Sequence, residues 1–460
     1  MEKNKTRGGF SDSLGFVLSA AGSAVGLGNL WRFPFLAAKG GGLFILVYII
    51  LSVTFGFTLL LTEIAIGRKT GVSPILAFEK LNSRFKIAGI LSFIIPFAVM
   101  PYYSVIGGWV VKYTADFLLG YGSNIVQNEN YFSLFLQDTF FPILFMVIYL
   151  SVTAIIVACG VEKGLEKSSK ILMPTLIIIM VGITSYTICL RDENSGRTAL
   201  SGLLIYLKPN FSTLTFKTLI RTLFDAIGQL FFSLSISMGV MITLGSYTKR
   251  DSDLCKSVDT IERFDTGIAL LAGALMVPAV YCFLGAQGLE NAGPSLMFKT
   301  LPKVFYCMGV PGKFIGLLFF VLVLFAAITS SVSIMEAVVC MIIDKFSLKR
   351  KTACIIVFAV SLIFGIIICL GYNSFNINIT LPDGTRGSLL ELFDWFINNI
   401  LMPITGIITC IIVGWIIKPK TVIDEVMLST EKFKREKMYT VMIKYIAPIL
   451  LVIIIVCGVM

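Results

Sequence analysis

The chain has 460 residues, of which 56% are hydrophobic and only 14% are charged; this excludes a soluble globular protein and indicates an integral membrane protein. The net charge of +11 is explained by membrane topology and anionic lipid headgroups, so no nucleic-acid partner is expected. Histidine is absent and the ten cysteines follow no metal-binding spacing, which excludes metalloprotease, imidazole-relay and Ser-His or Cys-His enzymes.

Apolar runs long enough to cross about 30 Å of hydrocarbon predict eleven membrane spans. In chain order, spans 1 to 11 cover residues 13–36, 42–67, 88–119, 141–160, 171–190, 222–247, 264–288, 312–343, 353–372, 391–417 and 440–459. Span 1 begins close to a basic N-terminus, but it is long and lacks a cleavage-site pattern. We therefore treat it as mature structure and not as a signal sequence.

Basic residues beside spans 1, 2, 8 and 10 predict the orientation in the cell (plasma) membrane. They are Lys3, Lys5, Arg7, Arg68, Lys69, Lys80, Arg84, Lys86 and the basic segments 345–351 and 418–437. This pattern predicts a cytoplasmic N-terminus and, with eleven spans, an extracellular C-terminus. The segment 191–221 is an exception, because its five basic residues would be external; its length weakens the rule there.

Span 1 contains a segment, residues 20–34, that interrupts its own helix with Gly22, Gly26, Gly28 and Pro34. A membrane helix can unwind only where its freed amides and carbonyls face protein or a watery cavity. The carbonyls would suit a small hard cation, and the N-terminus of the second half-helix would suit a carboxylate. The alternative is that Gly22 and Gly26 form only a close helix-packing motif.

A second interruption, at residues 233–239, lies in span 6. Paired broken helices in corresponding halves of a chain indicate the binding site of a secondary transporter. We therefore expect one transmembrane transporter domain, 1–460, built from two inverted repeats. The first repeat would be 11–220 with spans 1 to 5, and the second 221–417 with spans 6 to 10. Residues 418–460 would add a cytoplasmic loop and span 11.

Polar side chains inside the spans are the candidates for ion binding. Span 8 carries a hydroxyl cluster, residues 329–333, which offers oxygens for Na⁺, although hydroxyls also bond to the preceding helical turn. Asp265 in span 7 is the sharpest candidate, because a lone carboxylate near the midplane is protonated unless a cation lies beside it. The alternative places Asp265 near the cytoplasmic end, paired with Arg263.

Three further carboxylates, Glu63, Asp225 and Glu336, are equally open to functional and structural interpretations. Glu63 is a candidate for holding unwound backbone amides in place.

Six motifs resemble the neurotransmitter:sodium symporter family, and the resemblance extends over nearly the whole chain. They are Gly26–Pro34, Gly40–Gly42, Glu63–Arg68, Tyr102–Tyr103, Gly228–Ser235 and Thr329–Ser331. The resemblance is to eleven-span bacterial members that carry hydrophobic and aromatic amino acids. It implies an all-α membrane protein with the LeuT-type 5+5 inverted repeat and one additional C-terminal span.

The function that this resemblance implies is sodium-coupled symport of a neutral, bulky hydrophobic or aromatic L-amino acid into the cell by alternating access, with two Na⁺ ions and no chloride requirement. A same-fold transporter with another cargo or with proton coupling, and an amino acid receptor that does not transport, are the alternatives. A monomer and a homodimer both remain open.

The resemblance also assigns two sodium sites. Site 1 would use the Ala24 carbonyl, the Asn29 side chain, Ser233, Asp265 and the substrate carboxylate. Site 2 would use the carbonyls of Gly22, Val25 and Ala326 with the hydroxyls of Thr329 and Ser330.

The residues assigned to the amino acid substrate come from spans 1, 3, 6 and 8. They are Ser23, Ala24, Leu27, Gly28, Val99, Tyr103, Phe232, Ser233, Ser235, Met238, Ser330 and Ile334. The substrate carboxylate would meet the amides of Leu27 and Gly28 and the Tyr103 hydroxyl. The ammonium group would meet backbone carbonyls of spans 1 and 6.

Two gates are implied as well. Arg32 and Asp394 would close the outer vestibule, with Phe232 as a lid. The cytoplasmic gate would consist of Arg7, Asp344, Phe10, Ser246 and Tyr247.

Three positions depart from the patterns of the family. Phe10 stands where many relatives have Trp, which would loosen the inner plug. Asp265 stands where chloride-dependent relatives have Asn, so a fixed carboxylate would replace the anion. Ser237 replaces a glycine in the second break, and the expectation is a slightly smaller pocket or a different unwinding.

Overall fold

The computed structural model describes residues 8–193, 195–209, 211, 215–290, 293–375, 377, 379–382 and 386–459. Within these ranges the chain is almost entirely helical. One short antiparallel hairpin, β1 (Ile379–Thr380) and β2 (Arg386–Gly387), lies between two of the helices.

The helices of the first predicted repeat are α1 (Ser13–Ala24), α2 (Phe33–Leu51), α3 (Phe57–Thr70), α4 (Pro74–Leu81), α5 (Lys86–Leu118), α6 (Gly122–Gln127), α7 (Tyr131–Gln137), α8 (Phe141–Ala158), α9 (Lys167–Ile188) and α10 (Ala199–Leu207). The remaining helices are α11 (Phe216–Ser233), α12 (Val240–Ser246), α13 (Leu254–Gly288), α14 (Leu301–Cys307), α15 (Val310–Phe346), α16 (Arg350–Gly371), α17 (Leu389–Phe396), α18 (Met402–Ile411), α19 (Lys420–Met427), α20 (Glu436–Val441) and α21 (Ala447–Val459). Short π-helical segments, among them Gly28–Arg32, Ser52–Gly56 and Val161–Glu166, extend several of these helices.

Nine helical stretches in the described ranges are long and apolar enough to cross a membrane. The first, Gly28–Thr70, is divided at Gly41, whose φ of 57° and ψ of −156° are not helical. It therefore contains the end of span 1 and all of span 2. Span 6 is absent from these nine because it is divided into α11, which is 18 residues long but carries three charged residues, and α12, which has only seven residues. This arrangement is consistent with eleven spans.

Three predicted spans begin at least six residues before the predicted position. The predicted start of span 5 is residue 171, but helical structure begins at Val161. The predicted start of span 6 is 222, but α11 begins at Phe216, and the predicted start of span 7 is 264, but α13 begins at Leu254. In all three cases the first turns carry charged residues, so hydropathy marks the apolar part of the helix and not its start.

Both predicted interruptions are present. Span 1 leaves the helical conformation after Ala24, where Val25 is extended with φ −77° and ψ 99°. Span 6 is interrupted between Ser233 and Val240, and three residues there have positive φ: Ser235 at 50°, Ser237 at 65° and Gly239 at 72°. The first break packs between α13 and α15, and α15 packs along α5. These helices surround the candidate site.

Candidate functional site

Backbone oxygens released by the first break converge on span 8. The hydroxyl of Ser330 lies 3.3, 3.1 and 3.2 Å from the carbonyl oxygens of Gly22, Ser23 and Val25. One hydroxyl proton can serve only one of these three acceptors, so the cluster has more lone pairs than donors. Such an excess of oxygens suits a hard cation.

The neighbouring hydroxyl completes the group of residues predicted for sodium site 2. The Thr329 hydroxyl lies 3.0 Å from the carbonyl oxygens of both Phe325 and Ala326. A Cβ on Gly22 would lie 3.1 Å from Cβ of Thr329, so span 8 approaches the break closely. Gly22, Val25, Ala326, Thr329 and Ser330 therefore lie together. The Thr329 hydroxyl also bonds to the preceding turn of its own helix, which is the alternative interpretation of the hydroxyls in span 8.

A second polar cluster is centred on the fully buried carboxylate of Asp265. The Asn29 side-chain amide donates to Asp265 Oδ1 at 2.7 Å, and Asn29 Oδ1 lies 3.3 Å from the Ser233 hydroxyl. The hydroxyls of Ser233 and Tyr48 also donate to Asp265. Arg263 is not among these partners, so the alternative pairing of Asp265 with Arg263 is wrong.

Three of the four protein residues predicted for sodium site 1, Asn29, Ser233 and Asp265, thus contact one another. Ala24, the fourth, lines the same cavity as Asn29 and Ser233. Tyr48 was missed, because a single tyrosine in an apolar span gives no signal in the sequence. In the described ranges, no three His, Cys, Asp or Glu side chains converge as they do in a transition-metal site. Carbonyl, amide, hydroxyl and carboxylate oxygens of this kind suit Na⁺.

All twelve residues predicted to bind the amino acid line one buried cavity between the two breaks. The lining consists of Ser23, Ala24, Gly26, Leu27, Gly28, Asn29, Val99, Tyr103, Phe232, Ser233, Ser235, Met238, Ser330 and Ile334. None of these residues is charged. The space that a water-sized molecule can enter is only about 20 Å³, so an amino acid requires side chains to move.

Two aromatic side chains shape this cavity. A Cβ on Gly28 would lie 2.6 Å from the ring of Phe232, so the missing side chain lets that ring lie against the first break. Among the described residues the buried Tyr103 hydroxyl has no hydrogen-bond partner, and it lies 3.2 Å from the position of a Cβ on Gly26. An unpaired buried hydroxyl is costly, and a substrate carboxylate would satisfy it.

Ser237 lies behind the cavity and is not part of its lining. Its hydroxyl is 3.1 Å from the position that a Cβ on Gly406 would take, so it points towards span 10. The Ser237 hydroxyl therefore does not itself take up space in the cavity, and the expectation of a slightly smaller pocket or a different unwinding stays a prediction. The amide of Ser237 donates to Glu63 at 2.6 Å, which is the role expected for Glu63.

A larger cavity of about 360 Å³ adjoins the buried one. Both members of the predicted outer gate, Arg32 and Asp394, line it. Leu27, Tyr103 and Phe232 line both cavities and together form the wall between them. Asp394 accepts a bond of 2.8 Å from Asn398. Arg32 and Asp394, which both belong to the described part of the chain, form no ion pair within 4.0 Å.

The end of the pathway where the cytoplasmic gate is predicted is closed by packed aromatic rings. The Phe10 ring lies 5.6 Å from that of Phe16 and 6.3 Å from that of Tyr247. Arg7 lies outside the described residues, so its predicted pairing with Asp344 stays a prediction. Asp344 accepts a bond of 2.7 Å from the amide of Ser73.

One strong contact near this gate was missed by sequence reasoning. The fully buried Glu336 accepts two bonds of 2.7 Å from Arg350, and the Tyr247 hydroxyl donates to it at 2.7 Å. The carboxylate thus ties span 8 to span 9 and to the end of span 6. The Ser246 hydroxyl donates to the Thr243 carbonyl of its own helix at 2.6 Å.

The first helix is also fixed at its start. Asp12 caps α1 by accepting from the Gly15 amide, and it forms an ion pair with Lys170. The Lys170 bond, followed by the Gly15 amide, holds the pKa of the Asp12 carboxyl below its ordinary value. Ser11 donates to Glu166 through its backbone amide at 2.8 Å.

Two broken helices that cross at a buried cavity, with oxygen clusters beside it, define a secondary membrane transporter. The sequence pattern of the sodium:neurotransmitter symporter family matches residues 7–121 and 140–460. The chain belongs to this family, and it is a sodium-dependent transporter and not an enzyme.

Similar proteins support this assignment along the whole chain. An uncharacterized sodium-dependent transporter of Haemophilus influenzae is 32% identical, with 98% of each chain covered. Another from Bacillus subtilis is 31% identical, with 97% of this chain and 96% of the relative covered. The crystal structure of MhsT in complex with L-phenylalanine matches with a TM-score of 0.86 and 30% identity over 99% of this chain and 100% of MhsT. The LeuT-type fold is thereby confirmed.

Proposed function

We propose that the protein carries a neutral, bulky hydrophobic or aromatic L-amino acid into the cell by Na⁺-coupled alternating access in the plasma membrane. One observation carries this proposal: the predicted substrate residues of four spans line a single uncharged cavity between the two oxygen clusters. MhsT, whose fold is similar, was crystallised with L-phenylalanine.

The backbone polarity of the cavity supports an amino acid as the cargo. The first break presents the amides of Leu27 and Gly28 near the unpaired Tyr103 hydroxyl, and these donors suit a carboxylate. Carbonyls freed at the second break suit an ammonium group. Met238 and Ile334 leave an apolar, adaptable region for the side chain. Without a charged lining residue, a charged side chain would be left unpaired there.

The position of the Asp265 cluster supports coupling between ion and substrate. Asn29 and Ser233 belong to both the cavity and the Asp265 cluster, so a substrate carboxylate in the cavity can share a Na⁺ ion with them. Each ligand then raises the affinity of the other by the same factor. Two Na⁺ ions moving down a potential of about 100 mV release roughly 4.6 kcal/mol, enough for a substrate ratio on the order of 10³.

The two ends of the cavity support alternating access. The side chains of Leu27, Tyr103 and Phe232 separate it from the vestibule that is lined by the predicted outer gate. Phe10, Phe16 and Tyr247 block the opposite end. Since the outer pair is not in direct contact, it can open without breaking a desolvated ion pair.

Uptake of radiolabelled amino acids into proteoliposomes tests the proposal. With an inward Na⁺ gradient, Trp, Tyr, Phe, Leu and Met are expected to be taken up and to compete with one another, while Glu and Lys are inert. Replacement of Na⁺ by K⁺ or choline, with an imposed pH gradient, is the control. Uptake driven by the pH gradient alone, binding without uptake, or preference for Gly or a charged amino acid would contradict the proposal.

A further inference from the structure

A group of basic residues lies at the end of the molecule opposite to the N-terminus, where the orientation rule predicts few. Lys39 follows the second half of span 1, Lys208 follows α10, and Arg221 lies in the first turns of α11. All three side chains are exposed. The transport pathway described above does not use them, so their position requires another explanation.

These cations line one cavity of about 780 Å³, larger than the vestibule. Asp225 lines it as well, which leaves a net charge of +2 on the charged lining residues. Within the described part of the chain, neither the three cations nor Asp225 forms an ion pair within 4.0 Å. The cavity therefore attracts an anion.

The same cavity has an apolar side that continues onto an exposed helix face. Leu204 of α10 lines it and is 61% exposed. Leu200 and Leu207 extend this face and are 56% and 51% exposed. The opposite face of α10 is fixed against span 7, because the Tyr206 hydroxyl donates to the Leu270 carbonyl at 3.0 Å. The buried Tyr206 thus fixes the orientation of α10, so that its leucine side chains are exposed beside the three cations.

We propose that this cavity binds the headgroup of an anionic phospholipid from the outer leaflet. The phosphate would lie among Lys39, Lys208 and Arg221, and the acyl chains would cover the leucine face of α10. A soluble anion would leave that face bare, and a zwitterionic headgroup would leave the net positive charge uncompensated. The positive charge of the cavity and the apolar face of α10 together therefore fit one amphiphilic molecule.

The three cations belong to segments that the lipid would connect. Lys39 is joined through its helix to the first break, and Arg221 is joined through α11 to the second. The backbone of Lys208 lies against span 2, because its carbonyl accepts a bond of 3.4 Å from the Gly42 amide. A phosphate bound to all three side chains would brace the outer halves of both broken helices against α10.

Counting bound lipids by native mass spectrometry tests the proposal without measuring transport. The protein is taken from mixed micelles of phosphatidylcholine and phosphatidylglycerol and compared with the triple variant K39Q/K208Q/R221Q. The native protein is expected to retain one more phosphatidylglycerol than the variant. Each neutralised cation is expected to weaken binding about fivefold, and the three together about 10²-fold.

The triple variant K217Q/K299Q/K313Q is the matched control. It removes three exposed positive charges from residues that lie outside the cavity lining. The control should retain phosphatidylglycerol like the native protein. Equal loss in both variants, no loss in either, or equal retention of phosphatidylcholine would overturn the proposal. Displacement of the lipid by 10 mM inorganic phosphate would assign the cavity to a free anion instead.

Folding is checked by elution as a single species on size exclusion. If the triple variant fails this check, Lys208→Gln alone is measured, because its exposed side chain can change while its carbonyl keeps the Gly42 contact. A loss of about fivefold is expected for this single variant. Unchanged binding would overturn the proposal.

Discussion

The side-chain amide of Asn29 donates a 2.7 Å hydrogen bond to Oδ1 of Asp265, which joins the first broken helix directly to span 7. Ser233 of the second broken helix contacts the same two side chains. Both breaks are therefore connected to one fixed carboxylate. A cation placed there would find its counter-charge within the protein.

Transport is expected to be independent of chloride for this reason. A bound Na⁺ in a buried site needs a compensating negative charge, and Asp265 supplies it. Uptake in gluconate should equal uptake in chloride for the native protein. Asp265→Asn should lose Na⁺ affinity and recover part of its activity when chloride is added. Strong chloride dependence of the native protein would show that Asp265 does not have this role.

Loss of the Ser330 hydroxyl is expected to weaken Na⁺ binding selectively. Ser330→Ala removes the oxygen that faces three carbonyls of the first break, and its half-saturating Na⁺ concentration should rise about tenfold. Ser333→Ala, on the same helix, is the control, because that hydroxyl donates to the Thr329 carbonyl of its own helix and not to the first break. Equilibrium binding of radioactive Na⁺ measures both. Equal effects of the two substitutions would exclude a special role for Ser330.

The outer gate is expected to affect transport more than binding. Asp394 lies in the vestibule, on the far side of the Phe232 ring from the substrate cavity. Asp394→Ala should therefore reduce the uptake rate about tenfold or more while changing substrate affinity by less than about threefold. Uptake and scintillation-proximity binding are compared on the same preparation. If binding disappears while the protein remains folded, Asp394 contacts the substrate directly.

Close packing between spans 2 and 6 predicts a large stability effect at one glycine. A Cβ on Gly67 would lie 2.0 Å from the carbonyl oxygen of Ile242, so Gly67→Ala should cost about 1–3 kcal/mol and lower the melting temperature in detergent. Gly182→Ala is the control, because nothing lies within 4 Å of a Cβ there. Its melting temperature should stay equal or rise, since alanine favours helix. A fall of equal size in both variants would refute the steric argument.

The breaks and the cavity could be predicted from sequence because the signals are local. Glycines and hydroxyls in an apolar span mark a backbone that is not helical, as seen at Val25 and Ser235. The residues of other spans that face these breaks could be assigned only from the resemblance to the family.

Pairings between distant segments could not be predicted in the same way. Arg350 lies in the basic segment 345–351, which in the sequence indicates only the orientation in the membrane. No local sequence pattern shows that its side chain contacts the buried Glu336. Tyr48 looks like any other apolar residue of span 2 until its hydroxyl is seen beside Asp265. Such contacts depend on how spans are rotated against each other, which hydropathy does not specify.

The packing of Ser237 against Gly406 makes these two positions dependent on each other. The serine hydroxyl is one of three groups close to the position of a methyl group on residue 406; Leu451 Cδ1 and Phe231 Cζ, both at 3.0 Å, are the others. Gly406→Ala alone should therefore crowd the second break, and Ser237→Gly should relieve the part of that crowding that the hydroxyl causes. A lineage that acquires a side chain at 406 is expected to favour glycine at 237, so the two positions should change together during evolution.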